Sequence, residues 1–372
     1  MAESYETILL REPADLTAVT LTVALQAHYP DATVKAVTVD PLADATRCNA
    51  QLRRVHLSYA RTAPELPSTL IAKLPTADTT LRGSAAVFQP GKKETTFYQQ
   101  IAARTPVNAP RCYYSALDPL SGASILLLED LRTSRGGRQF DHVTLSQAED
   151  ALTAIAQLHA TWWMRDEVAT WWGDDPAAPP AADDDPGAAL VQALFRAAWP
   201  RFAATYAAIM PPAVAGFGMF LCDHLPAMER HAVGVPRTLL HGDFRLDNLF
   251  FAGADKDAAC WIIDWEDIDF GCGMFDLAWF IGGGVDVSDA ADEAVLLGHY
   301  HDALRRAGVT SYDRAACLAD YRRAMVAAFA QGVLMAMTRR AEESAQRDAA
   351  DDIARRFIKA CTRLRLHELA PL

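Results

Sequence analysis

Near Glu129 the periodicity of this sequence changes, and that change limits the fold more than any other feature. Before it, short runs rich in Val, Leu, Ile, Thr and Tyr recur between turn-forming residues at 34–40, 51–60, 68–74, 111–116 and 123–128, a pattern that predicts strands. The last run is continuously apolar, as expected of a strand covered on both faces. Helices are expected at 14–29, bracketed by Pro13 and Pro30, and at 92–103. Beyond Glu129, residues 145–165, 188–208 and most of 288–369 carry apolar residues at helical spacing and are rich in Ala, Leu and Arg. The expected class is α+β, with a small, mainly β part at 1–128 and a larger, mainly α part at 129–372. Within the helical part, the runs LFF and CWIID flank the turn-forming GADKDA, which predicts a hairpin inside 238–265. The acidic, Pro-rich stretch at 173–187 reads as a surface loop.

Composition narrows the partners. The chain has 372 residues, 35 basic against 47 acidic, so its formal charge is −12 and a phosphate-tracking surface is not expected; nucleic acid is a poor partner. The longest apolar stretch, 325–337, has thirteen residues, against about twenty needed to cross a bilayer. It reads as a buried helix, and no membrane partner is expected. Seven scattered cysteines with no CxxC pair offer neither a zinc site nor a redox dithiol and suit a reducing cytoplasm. The acidic first residues read as no export signal.

The most specific chemical signal is LLHGDFRLDNLFF at 239–251, followed by WIIDWED at 261–267. It sets His241, Asp243 and Asn248 on a loop between apolar runs, with Asp264 at the end of the next strand, sixteen residues after Asn248. Phosphoryl transfer needs a carboxylate to orient the attacking hydroxyl and accept its proton, and Asp243 fits that role. It also needs hard oxygen ligands for magnesium, which Asn248 and Asp264 supply. The bland alternative is a turn in which Asp243 and Asn248 only satisfy backbone groups. Asn occurs only at positions 49, 108 and 248, so its presence here carries weight. Upstream, PSTLIAKLP places Lys73 in an apolar strand, where an ammonium needs a partner; Glu94 is the candidate. An edge-strand lysine and a solvated glutamate are the alternative.

The pattern HxDxxxxN followed by an apolar strand ending in Asp resembles the catalytic and metal-binding segments of the protein-kinase-like phosphotransferases. The form HGDFRLDN with IDWED is similar to the aminoglycoside phosphotransferase and choline-kinase-like superfamily, nearest its ecdysteroid-kinase-like (CHK) branch. The resemblance implies a two-lobed, ATP-dependent small-molecule kinase with Asp243 as base, Asn248 and Asp264 on Mg2+, and His241 supporting the loop. It further implies that Lys73 and Glu94 hold the α and β phosphates. In ILLLEDL, backbone groups from Glu129 to Leu131 would meet adenine at a hinge.

Kinase-like folds usually lay a Gly-rich turn over the phosphates, yet no glycine precedes Gly83; Thr46 to Asn49 are the only donors in that loop. This gap motivates a second function class, a catalytically silent binding or regulatory module. A third, metal-dependent hydrolysis, lacks the dense His/Asp cluster of a two-metal site. Asp276 is expected to brace the catalytic loop, Arg245 and Asp247 to form an internal ion pair as readily as to meet phosphate, and His159 to pack in the core. The arginines at 339–365, interleaved with acids, read as a solvated helical face. The acceptor is expected to be a small-molecule alcohol.

Overall fold

A computed structural model describes residues 10–42, 50–76, 88–131, 135–136, 144–172, 186–230, 236–251, 260–287, 289–340 and 344–370. The chain forms two compact units, Met1–Arg135 with Ile262–Asp267, and Gly136–Trp261 with Ile268–Leu372.

The first unit is built on a five-stranded antiparallel sheet of order β1-β2-β3-β5-β4. Its strands are β1 (Val34–Pro41), β2 (Ala50–Tyr59), β3 (Thr69–Pro75), β4 (Cys112–Leu117) and β5 (Ser124–Glu129), within a residue or two of the sequence expectation. Alternation along β3 decides the core: Leu70, Ala72 and Leu74 join Val55, Ile125 and Leu127 in one apolar cluster. Helix α1 (Ala18–Gln26) covers that cluster with Leu21, Ala24 and Leu25. It starts later than expected because Thr17 caps it, its side chain accepting from the Thr20 amide. Lys73, one residue out of phase, faces away from that cluster. It pairs in register with Leu52 on β2 and Leu126 on β5, so β3 is interior and the edge-strand reading of Lys73 is overturned. Leu126 and Leu128 are also buried, so β5 is covered on both faces as expected. The helix expected at 92–103 begins as α2 (Pro90–Thr96) and continues as a π turn, Phe97–Ile101.

The second unit is mainly helical: α3 (Leu145–Thr161), α4 (Pro186–Thr205), α5 (Pro212–Arg230), α6 (Met274–Gly284), α7 (Ala290–Arg306), α8 (Arg314–Arg340) and α9 (Ser344–Arg363). The predicted hairpin's apolar runs form neighbouring short strands, Leu249–Phe251 and Cys260–Ile262, while its turn lies outside the described residues. Two helices escaped the sequence reading. Gly216, Gly218 and Pro226, poor helix formers, interrupt α5, while α6 is almost wholly apolar, with Asp276 its one charged residue, and ends in three glycines. Gly218 serves packing: a Cβ there would lie 2.1 Å from the Trp199 ring. A second small sheet pairs Arg237–Leu240 with Asp269–Cys272, setting Leu240 opposite Asp269. Of the loop expected at 173–187, residues 173–185 lie outside the described set and Pro186 and Gly187 open α4. The apolar run at 325–337 lies within α8, where Met325, Phe329 and Val333 are fully buried. Among the described residues, no helix is long and apolar enough to cross a membrane.

Candidate active site

In the first unit, three carboxylates converge on one ammonium. Lys73 Nζ lies 2.7 Å from Glu94 Oε2, 2.6 Å from Asp264 Oδ1 and 2.7 Å from Glu266 Oε2. Lys73, Glu94 and Glu266 are buried. Burial pulls the Lys73 ammonium down, but Asp264, Glu266 and Glu94 together outweigh it and hold its pKa well above the ordinary lysine value. Burial is also the largest influence on Glu94, whose carboxyl is pushed up to about 7; Lys73 opposes that rise, and Asp264 and Glu266 reinforce it.

The local sequence explains the convergence. The Trp265 ring stacks on Phe97 at 3.8 Å with planes 7° apart, and its indole N–H donates to the Ile262 carbonyl. Anchored in this way, Trp265 sets Asp264 and Glu266 on either side of itself. Phe97 follows Glu94 by three residues, so one helical turn presents both the ring and the carboxylate. Asp264 adopts a left-handed conformation, φ 65°, which Asp tolerates better than most residues and which occurs often at functional positions. Sequence reasoning named Lys73, Glu94 and Asp264 and missed Glu266; the signal available was a second acid two residues beyond Asp264.

The residues expected to form a hinge lie at the end of the same sheet. The Glu129 amide donates to the Arg111 carbonyl at 2.8 Å, and its carboxylate accepts from the Arg111 amide at 3.1 Å. Both groups are thus engaged within the sheet, and Leu131 is buried just beyond. The loop residues Thr46 to Asn49 lie outside the described residues.

In the second unit the loop after Arg237–Leu240 is held by its backbone. Asp276, fully buried on α6, accepts from the His241 amide (Oδ2, 2.8 Å) and the Gly242 amide (Oδ1, 2.9 Å), and its Oδ2 also lies 3.1 Å from His159 Nε2. The expected brace is present. Gly242 has φ 84°, a left-handed turn that a Cβ would strain. His159 is fully buried, its Nδ1 2.9 Å from the Tyr300 hydroxyl, so it packs in the core as expected. His241 Nδ1 accepts from the Asp243 amide at 3.3 Å, which suits a supporting role for the loop.

Asp243 is buried and meets three side-chain donors: Oδ1 accepts from the Trp279 indole at 2.8 Å, and Oδ2 from Arg245 Nε and Asn248 Nδ2, both at 2.9 Å. Asn248 Nδ2 also donates to the Asp243 carbonyl, so the amide nitrogen is engaged and the amide oxygen is the atom left to face a cation. Arg245 Nη1 pairs with Asp247 at 2.7 Å, and Asp247 also meets Arg339 Nη2 at 3.1 Å. The solvated-face reading of 339–365 is therefore corrected at Arg339, which is buried, and at Arg363, which is bound to the buried Glu293. Charge alternation on a helix does not tell which arginine turns inward toward a partner far along the chain. Trp279 was also missed; its spacing of three from Asp276 puts both on one face of α6.

The sequence model of the phosphotransferase enzyme family (APH) matches residues 56–318, well over half of the chain. The chain belongs to that family. It is therefore an enzyme, a small-molecule kinase by class. No curated protein matches it in sequence. Among solved structures it is similar to an aminoglycoside 2'-phosphotransferase-IIIa mutant in complex with GDP, with a TM-score of 0.54 at 12% identity over 93% of this chain and 98% of that one. It is also similar to an ethanolamine kinase from Plasmodium vivax, TM-score 0.53 at 11% identity over 90% and 83%. A choline kinase from Cryptosporidium parvum Iowa II gives 0.51 at 12% identity over 90% and 92%. These likenesses establish the kinase-like α+β fold.

Proposed function

We propose that this phosphotransferase moves the γ-phosphate of ATP to a hydroxyl of a small molecule, with Asp243 as the base. The acceptor oxygen forms a bond to the γ-phosphorus, the bond from that phosphorus to the ADP oxygen breaks, and the hydroxyl proton passes to Asp243. The observation that carries this reading is the fixing of Asp243 by Arg245, Asn248 and Trp279 on a loop whose backbone Asp276 holds. A turn that only satisfied itself would not need a buried carboxylate with three side-chain donors.

The residues fit a divalent cation. Lys73 balances one of the three carboxylates around it, and this excess of negative charge in a buried place suits a further cation. In our reading Asn248, through its amide oxygen, and Asp264 hold magnesium, which neutralises charge on the nucleotide phosphates when bound. Lys73, held by Glu94, meets the α and β phosphates, and backbone groups from Glu129 to Leu131 meet adenine. Residues 1–128 then act as the nucleotide lobe and 129–372 as the catalytic and acceptor lobe. The motif HGDFRLDN with IDWED favours the CHK branch, and the free thiols among the described residues suit a reducing cytoplasm.

The acceptor is drawn from alcohols such as the aminoglycosides, ethanolamine and choline that name the similar structures, or from steroid alcohols, hydroxyacyl thioesters and sugars. An ADP-release screen over these classes tests the reading, with Asp243→Asn as the control. The expected result is turnover with one class, abolished in Asp243→Asn while circular dichroism stays unchanged. Substantial turnover by that variant would remove Asp243 from the role of base.

A further inference from the structure

Helix α6 reaches the catalytic loop twice from one face. Asp276 holds the loop's backbone, and Trp279, one turn later, reaches the Asp243 side chain itself. The two carboxylate oxygens are then unequal. An ionised carboxylate offers about four lone-pair sites, two on each oxygen. On Oδ2 both are taken, by Arg245 Nε and Asn248 Nδ2. On Oδ1 the Trp279 indole takes one, and among the described residues no second donor meets it. A hydroxyl delivering its proton to Asp243 therefore finds room on Oδ1, next to the indole.

We propose that Trp279 is a positioning residue that makes Oδ1 of Asp243 the atom that receives the acceptor's proton. This rests on the reading of Asp243 as base. Indole is suited to the task because it donates and never accepts, so it fixes the carboxylate without competing for the proton. The ring is locked in turn: Trp279 is buried and stacks on Phe357 of α9, with centroids 5.4 Å apart and planes 25° apart. Without the indole N–H the carboxylate keeps its two Oδ2 partners but loses the donor that fixes the orientation of Oδ1.

A buried indole needs some acceptor, so the test must separate positioning from mere satisfaction. Two variants serve: Trp279→Phe, and replacement of Trp279 by β-(3-benzothienyl)alanine, which keeps the bicyclic ring and loses only the N–H. The activity probe is ADP release from MgATP with water as acceptor. Both variants should lower kcat about tenfold, as expected for a lost hydrogen bond to a charged group. KM for MgATP should stay unchanged, and so should the unfolding midpoint of the benzothienyl protein. A second readout needs no turnover: in protein labelled with 15N-tryptophan, the indole resonance absent from Trp279→Phe should move upfield in Asp243→Asn. A benzothienyl protein with normal kcat beside an inactive Asp243→Asn would overturn the role of Trp279 alone. An indole resonance unmoved by Asp243→Asn would overturn it as well. Normal turnover by Asp243→Asn would instead overturn the base assignment on which the inference rests.

Discussion

At the residue scale, the unusual group is Lys73, one cation among three carboxylates. Glu94 bears the consequence. Its carboxyl is raised by burial from an ordinary 4.5 to about 7, with Lys73, Asp264, Glu266 and Tyr98 as its charged or titratable neighbours. Between those two values the folded chain keeps a proton that the unfolded chain has released. The contribution of Glu94 to stability is therefore complete below about pH 4.5 and is lost as pH rises through about 7. Lys73, also raised, has the same sign but acts above its ordinary value of 10.5, outside this window. In nucleotide-free protein the urea midpoint should fall between pH 5 and pH 8, and Glu94→Gln should flatten that slope. An equal slope in the variant would assign it to other groups. The Lys73–Glu94 pair was legible because an ammonium in an apolar strand needs a partner. Glu266 was not, because its place depends on how Trp265 docks on Phe97.

At the scale of elements, α6 holds the loop that bears Asp243, and α8 and α9 pack against α6. Asp276→Ala would strand the His241 and Gly242 amides and remove the partner of His159 Nε2. With buried groups costing about 1–3 kcal/mol each when unpaired, denaturant unfolding should show a loss of more than about 3 kcal/mol. ADP release should fall even at temperatures where the variant stays folded. Packing around α9 gives a separate prediction. A Cβ on Gly332 would lie 2.2 Å from Cδ2 of Phe357, so Gly332→Ala should cost about 1–3 kcal/mol by overpacking, seen as a lower unfolding temperature. An unchanged unfolding temperature would mean that Phe357 has another rotamer to occupy. Local composition explains why α5 and α6 escaped the sequence reading: Gly216, Gly218 and Pro226 are poor helix formers, and α6 is nearly all apolar, with little polar face for periodicity to detect.

For the whole molecule, the two function classes differ in what MgATP does. A kinase that binds the nucleotide gains about 2.7 kcal/mol of stability at 100 times the dissociation constant, so a thermal-shift titration should show a clear rise. On the proposed reading, in which Asn248 and Asp264 hold the ion, ATP without magnesium should give a smaller rise. No shift together with no ADP release would favour the silent module. The sequence by itself determined the α+β class, the strands of the first unit and the segments bearing Lys73, Glu94, Asp243, Asn248 and Asp264. These follow from alternation, helical spacing and local residue order, all short-range properties of a chain. Only the tertiary structure decided that Glu266 joins Lys73, that Arg339 turns inward to Asp247, and that Trp279 holds Asp243. Each of those contacts except the last spans 92 residues or more, and even Trp279 lies 36 from Asp243. Which donor meets which carboxylate at such separations is set by helix packing, and local pattern carries no record of it.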